Sequence, residues 1–445
     1  HVQAADVAAL VFTGTMNGCI PIDRDGNALH DNIIHSDVRT APQVAELEKR
    51  IPLADYYRRT GNRIDVHSGL PKYMWLKPEE PDLYRDAAWF VNIKDYLYGR
   101  FTGRVGGTDR SDASLCNCID ILGGDWAWDV LKEAGVDAAK MPELRASTDV
   151  TGRLNAAFAA LTGLPEGLPV AVGAGDGACA AHGARPHERG AAYMNIGSSA
   201  WVSAMSDQPI MDRELRLFNY FDMDESCYNV CGTVQSGAAA FNWALDTLIA
   251  LDDPAKKKDF AALEAMARSV PAGANGVFFL PTLMGERTPW WTAKASGMLI
   301  GCTLYHRPEH ILRAVYEGVM QALRFCGDIL RENGLPVQAL TLIGGGAKSG
   351  LWGQMAADMF GAHISVHATP HEATSLGAAL AAGVGIGWYR DFREAAEVIH
   401  RERSYEPDPQ TRAAYAKHFA VHRQLYPMTR NAHEAVYAYQ QENGQ

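Results

Sequence analysis

An α/β chain of two domains is what this sequence predicts, and three observations predict it. Short apolar runs that read as strands alternate with helical stretches, the pattern of βα units with substantially parallel sheets. The chain has 445 residues, more than one ordinary hydrophobic core accommodates. A polar seam carrying Pro and Gly, Ala184-Arg185-Pro186-His187-Glu188-Arg189-Gly190, separates an earlier set of elements from a later one. The boundary is placed there, giving domains 1–186 and 187–445.

Taken in order, Val7 to Phe12 reads as a short buried strand followed by Gly14. Cys19–Ile22 and Ala28–Ile34 flank the turn Asp23-Arg24-Asp25-Gly26-Asn27, and an Asp-Gly turn between apolar runs predicts a hairpin. Helices are expected over Ala41–Arg50 and around Asp82–Leu97. Leu168–Val172 is a strand that leads into a small-residue helix over Asp176–Gly183. In the later set, Ala191–Asn195 is a strand ending in Ile196-Gly197-Ser198-Ser199. Helices follow at Ala239–Ala250 and, long and amphipathic, at Pro308–Asn333. Leu340–Ile343 is a strand running into Gly344-Gly345-Gly346, then come a helix over Leu351–Phe360 and a final one over Thr411–Gln441.

Composition excludes several function classes. Hydrophobic residues are 47% and charged ones 21%, the balance of a folded globular protein. A formal charge of −11 argues against a nucleic-acid surface, which needs a basic footprint. The strongest apolar run, Leu376–Val384, is too short to span a bilayer, so no membrane role is expected. Eight scattered cysteines lack paired zinc-ligand spacing, so no metal site is read from them. Free or buried thiols in a reducing cytoplasm are expected instead.

Three glycine-bearing strand ends carry the chemistry. Val170 to Gly183, VAVGAGDGACAAHG, puts Gly173, Gly175 and Ala178 where a dinucleotide fingerprint would have its small residues. Asp176 opens the helix where a pyrophosphate would lie and would repel it, and the next strand lacks the acidic residue a ribose needs. Asp176 by itself reads as a helix N-cap. At a cleft edge, the same ionised carboxylate suits a sugar hydroxyl that attacks a phosphoryl group, which it can orient and deprotonate. Asn195 to Ser199 reads as an ordinary Gly-Ser turn or as a loop offering backbone N–H groups and hydroxyls to phosphate. Three consecutive glycines at Gly344–Gly346 cost conformational entropy, which a close ligand approach would explain.

In sequence order, these motifs resemble the FGGY carbohydrate kinases, xylulokinase-like members in particular, along nearly the whole chain. Gly14-Thr15-Met16-Asn17-Gly18 and Ser36-Asp37-Val38-Arg39-Thr40 resemble sugar-site segments. Thr108-Asp109-Arg110-Ser111-Asp112-Ala113-Ser114 resembles a turn lining the first domain, and Gly175-Asp176 falls on the catalytic aspartate motif. Asn195–Ser199, Gln235-Ser236-Gly237-Ala238-Ala239 with Asn242-Trp243, and Gly344–Ser349 with Trp352 and Asp358 resemble the nucleotide-side motifs, and Leu280–Pro289 resembles the family's signature stretch.

The resemblance implies two actin-like, ribonuclease-H-like domains with an interdomain active-site cleft that closes around ATP, Mg²⁺ and a small sugar or polyol. It implies Asp176 as the base and Met16, Asn17, Asp37, Arg39 and Asp112 on the sugar side. Asp37, Arg39 and Asp112 read equally well as structural ion pairs. Gly197, Ser198, Ser199, Gly237, Gly344, Gly345, Gly346 and Ala347 fall on the nucleotide side. The protein could assemble as a homodimer. A non-catalytic sugar- or nucleotide-binding protein is the competing expectation. It rests on a departure: the family's opening strand and Asp-x-Gly-Thr phosphate loop have no counterpart before Val7, and a polypeptide truly ending at His1 is expected to be inactive or nearly so. A second departure is Asn17, where xylulokinases usually present a histidine, which opens the choice to other ketoses or polyols.

Overall fold

The computed structural model describes residues 3–185, 187–249 and 259–443. The chain divides into two compact units. One comprises His1–Arg189, Met205–Val230 and Glu372–Ile399; the other comprises Gly190–Ala204, Cys231–His371 and His400–Gln445. Two segments lying beyond residue 186 in sequence thus fold with the first unit.

In the first unit, Pro169–Gly175 forms the middle of a three-stranded sheet, parallel to Leu10–Gly14 and antiparallel to Gly152–Arg153. The opening strand begins at Leu10 rather than Val7, because Ala4–Asp6 closes a 3₁₀ turn first. The register runs Leu10 to Val170 and Val11 to Ala171, then shifts so that Gly14 faces Gly175. Both strand ends therefore finish beside Asp176. An aromatic stack buttresses this sheet: Phe12 lies edge-on to Phe101 at 4.9 Å, and Phe101 stacks on Phe158 at 4.1 Å. A larger core gathers Leu70, Tyr73, Phe90, Ile119 and Trp126. Behind the Asp176 turn, the helix Asp176–Ala184 packs along Ala373–Gly385, a helix the sequence reading left unassigned.

Two expected elements of this unit differ. Asp23 does close its turn, accepting from the backbone N–H groups of Asp25 and Asn27. However, Ile20–Ile22 pairs antiparallel with Trp89–Val91, and the Ala28–Ile34 arm holds only isolated bridges. Consistent with that pairing, the helix expected around Asp82–Leu97 is broken into Pro81–Asp86, the strand Trp89–Val91 and Ile93–Thr102. Trp89-Phe90-Val91 is aromatic and β-branched, and half-buried strand packing outweighs helical propensity there. Asn92 then opens the next helix with a capping box.

In the second unit the sheet runs in the order Ala200–Ser206, Ala192–Ile196, Ala339–Ile343, His363–His367, Arg401–Tyr405. The three middle strands are parallel and the flanking pairs antiparallel, so the sheet is mixed. The expected helices form at Ala238–Thr247, Pro308–Glu332, Gly350–Phe360 and Pro409–Glu442. Ala250, the expected end of the first, lies outside the described residues, as does Pro186 of the seam. Helix Pro308–Glu332 packs against Ala238–Thr247, Gly350–Phe360 and the strand Phe278–Leu280, which places Tyr316 at the meeting point of three elements. All eight cysteines are free, and seven are buried. Among the described residues, no helix is long and apolar enough to cross a membrane.

Candidate active site

Each unit carries part of the candidate residues. In the first, Asp176 is the first residue of its helix; Gly175, not Asp176, is the N-cap. The helix N-terminus favours a carboxylate there, and the Gly177 N–H also favours it. Burial outweighs both and raises the carboxyl from the usual range to about 6. The group is therefore ionised at neutral pH yet weakly solvated, the state a general base requires.

Met16 is buried, and its side chain lies across Gly175 and Gly177. Asn17 sits in the left-handed region with φ 66°, a conformation asparagine tolerates better than most residues. The Asn17 carbonyl accepts from Lys72 Nζ at 2.5 Å, and Lys72 also donates to the His67 carbonyl at 2.9 Å. Asn17 Oδ1 is buried with no hydrogen-bond partner among the described residues. Burial pulls the Lys72 ammonium down to about 8, against the opposing pull of nearby acids that include Asp37. Asp37 pairs with Arg39 at 2.7 Å, and that hydrogen-bonded guanidinium holds its carboxyl below the ordinary value. Arg39 in turn covers the Trp75 ring at 4.8 Å.

Asp112 lies in a fully buried layer. One oxygen accepts from Asn92 Nδ2 at 2.7 Å; the other is 3.8 Å from Lys94 Nζ. Lys94 also meets Asp95 and, at 2.8 Å, Asp109. Burial raises the Asp112 carboxyl well above its ordinary range, and neighbouring Asp95, Asp109 and Asp176 add to this. Ser111 ties the layer upward: its hydroxyl donates to Asp109 and accepts from the Gly175 N–H at 3.2 Å. Asp112 thus belongs to the support beneath the Asp176 turn. Lys72, Trp75 and Lys94 escaped the sequence reading, since lone lysines and a helical tryptophan carry no motif.

In the second unit the end of strand Ala192–Ile196 gathers nearly every residue expected on the nucleotide side. The Gly237 N–H donates to the Ser198 carbonyl at 2.8 Å and the Ala238 N–H to the Gly197 carbonyl at 2.7 Å, so the two loops are stitched together. The Gly197 N–H is consumed within its own loop by the Ser199 carbonyl, while the Ser198 side chain is exposed. Gly344 turns with φ 81° against Asn195, and Gly346 packs on Ile196. Ala347 is buried, and its carbonyl accepts from Arg403 at 3.4 Å. From the signature stretch, Glu286 accepts from the Gln235 and Arg287 N–H groups at 2.7 and 2.9 Å, fixing the segment that leads into Gly237. Asp358 accepts from Gln354 Nε2 at 2.9 Å and from the Asp408 N–H at 2.8 Å.

Gly345 and Gly346 line a cavity of about 310 Å³ with Phe241, Tyr316, Trp352 and Glu264. Its aromatic residues pack on one another: Phe241 and Tyr316 are 4.9 Å apart, and so are Tyr316 and Trp352. A flat heteroaromatic ring suits such walls. Of this group the sequence had flagged only the glycines and Trp352. Phe241, Tyr316 and Glu264 come from other helices and read as ordinary core or surface positions.

Comparison with known proteins agrees with these features. The model of the N-terminal domain of the FGGY family of carbohydrate kinases matches residues 1–183, and the model of its C-terminal domain matches 192–386. A xylulose kinase of Bacillus subtilis (strain 168) is 32% identical over 441 residues, covering 98% of this chain and 86% of the relative. The solved structure of a ligand-bound xylulose kinase from Lactobacillus acidophilus has a TM-score of 0.88 at 26% identity, covering 97% of this chain and 86% of that one. A gluconate kinase structure from Lactobacillus acidophilus has a TM-score of 0.86 at 27% identity, covering 95% and 84%. The two-domain actin-like α/β fold is therefore the fold of this protein, and phosphotransfer to a sugar, not sugar binding alone, is its chemistry. Matched through both of its halves, the chain belongs to the FGGY family of carbohydrate kinases.

Proposed function

We propose that the protein transfers the γ-phosphoryl group of ATP to a hydroxyl of a small ketose, with a xylulose-type pentulose as the substrate and Asp176 as the base. Residues 1–186 supply the sugar side of this reading and 187–445 the nucleotide side, in the cytoplasm where ATP is abundant. The observation that carries it is a carboxylate at a helix start, raised by burial to about 6, with the Met16 side chain across the glycines on either side of it. The relatives' printed activities support the pentulose.

A sugar hydroxyl could donate to Asn17 Oδ1, a buried acceptor with no donor among the described residues. Asp37 and Arg39 would meet hydroxyls nearer the surface. The attacking hydroxyl oxygen bonds to the γ-phosphorus, the bond from that phosphorus to the bridging oxygen of ADP breaks, and the hydroxyl proton passes to Asp176. Alignment supplies most of the rate, with proton acceptance late in the step. Mg²⁺, entering with the nucleotide, would neutralise phosphate charge. The adenine ring would lie among Phe241, Tyr316 and Trp352, with Gly237, Gly345 and Gly346 close to ribose and phosphates. Ser198 and Ser199 would offer hydroxyls to the terminal phosphate.

Asp176→Asn tests the assignment in a coupled ADP-release assay run across pentuloses, hexuloses, alditols and aldonates. Turnover should fall by at least ~10²-fold with nucleotide affinity retained. Near-normal turnover would remove the base, and aldonate preference in the unaltered protein would replace the pentulose.

A further inference from the structure

We propose that a basic cavity of the second unit, formed by Arg324, Arg331 and Arg412, binds a small molecule through a phosphoryl group. The cavity measures about 380 Å³ and lies where helices Pro308–Glu332, Gly350–Phe360 and Pro409–Glu442 meet. One carboxylate, Asp328, stands among the three guanidiniums. It is 2.9 Å from Arg331 Nη1 and 3.6 Å from Arg324 Nε, so a single negative charge is shared by two arginines and the third adds to an uncompensated surplus. This occurs in a chain whose net charge is −11.

The positions look built for a ligand. Arg331 Nη2 is locked by the Val337 and Phe360 carbonyls at 2.7 and 2.8 Å. Arg324 Nε is buried with Asp328 at 3.6 Å, its Nη1 donates to the Tyr415 carbonyl at 3.5 Å, and its guanidinium lies 4.1 Å over the Phe419 ring. Arg412 fits because Gly361 ends its helix in the left-handed region; a Cβ there would come within 2.6 Å of the Arg412 Cζ. Burial lowers the Arg324 pKa, and the charges of Arg331 and Arg412 add to this, a repulsion that a bound dianion would reverse. The cavity is separate from the nucleotide half-site. Tyr316 belongs to the latter, and Arg324 follows eight residues later on the same helix, roughly 12 Å away along its axis.

The test titrates the full chain with inorganic phosphate, pyrophosphate and a pentose phosphate, at constant ionic strength and with the nucleotide site saturated by a non-hydrolysable ATP analogue. Two variants keep a failure to fold from confusing the result: Arg412→Gln and Ala416→Glu both alter exposed positions on one helix. At least one probe should bind the unaltered protein. Arg412→Gln should weaken that binding about tenfold, and Ala416→Glu, which puts a carboxylate at the cavity wall, should abolish it. kcat and the KM for ATP should stay within about twofold in both variants. The tightest probe identifies the source, free phosphate or an ester. Absence of binding by all three probes, or equal binding by the parent and both variants, overturns the proposal.

Discussion

Asp176 combines two demands that pull against each other. As the proposed base it must be ionised at neutral pH, yet burial makes that ionisation costly and raises its pKa to about 6 from an ordinary 3.8. The sign follows directly: above about pH 6 the carboxylate is available, and below it the rate should fall about tenfold per unit of pH. A kcat/KM profile that stays flat down to pH 5 would count against Asp176 as the base. Stability runs the other way. Between the two pKa values the folded state binds more protons than the unfolded one, so ionisation of this group destabilises the fold as pH rises. Asp176→Asn should therefore lose activity without lowering Tm at pH 8, which separates a catalytic defect from a folding one. This residue was legible from sequence because a strand, a glycine and an acid at a helix start form a local pattern. The layer beneath it was legible only in part: Asp109 and Asp112 share one motif, but Lys94 and Asp95 reach them from another helix, and a buried ion cluster has no linear signature.

At the scale of elements, small residues let the Asp176 helix lie directly on Ala373–Gly385. A Cβ built on Gly377 would come within 1.8 Å of the Cys179 carbonyl oxygen, backbone against backbone, which no rotamer change relieves. Gly377→Val should therefore destabilise the protein by about 3 kcal/mol and lower turnover by displacing the turn that presents Asp176. Denaturant unfolding and the coupled assay check both effects; unchanged stability would mean that the helices are free to separate. The sequence showed Asp176–Gly183 as a small-residue helix but could not say what lay against it, since helical periodicity marks a face and not its partner. The same limit explains the early hairpin. Asp23-Arg24-Asp25-Gly26-Asn27 forms its turn as the local signal requires, yet Ile20–Ile22 finds its strand partner at Trp89–Val91, far along the chain. Strand pairing over that separation depends on burial of Phe90 against Tyr73, stacked at 4.9 Å, and not on the turn.

Over the whole molecule the units are not consecutive stretches of chain: Met205–Val230 and Glu372–Ile399 fold with the first, although both follow the start of the second. Ordered motifs revealed two domains, but composition and periodicity are local properties and do not record where a chain returns. One consequence concerns nucleotide binding, whose candidate residues all lie in the second unit. Binding there needs neither Asp176 nor the sugar-side residues, so an ATP analogue at about 100 times its Kd should stabilise both the parent protein and Asp176→Asn by about 2.7 kcal/mol. Gly345→Val supplies the contrast. A Cβ at this position meets only His371 Cε1 at 3.8 Å and the Ile196 carbonyl at 4.0 Å, so the fold accepts it while the larger side chain occupies the cavity. That variant should keep the parent's Tm without nucleotide and lose most of the nucleotide-induced rise. If its Tm climbs with the analogue as the parent's does, the nucleotide lies elsewhere, and the roles given to Gly345 and Gly346 fall while that of Asp176 stands.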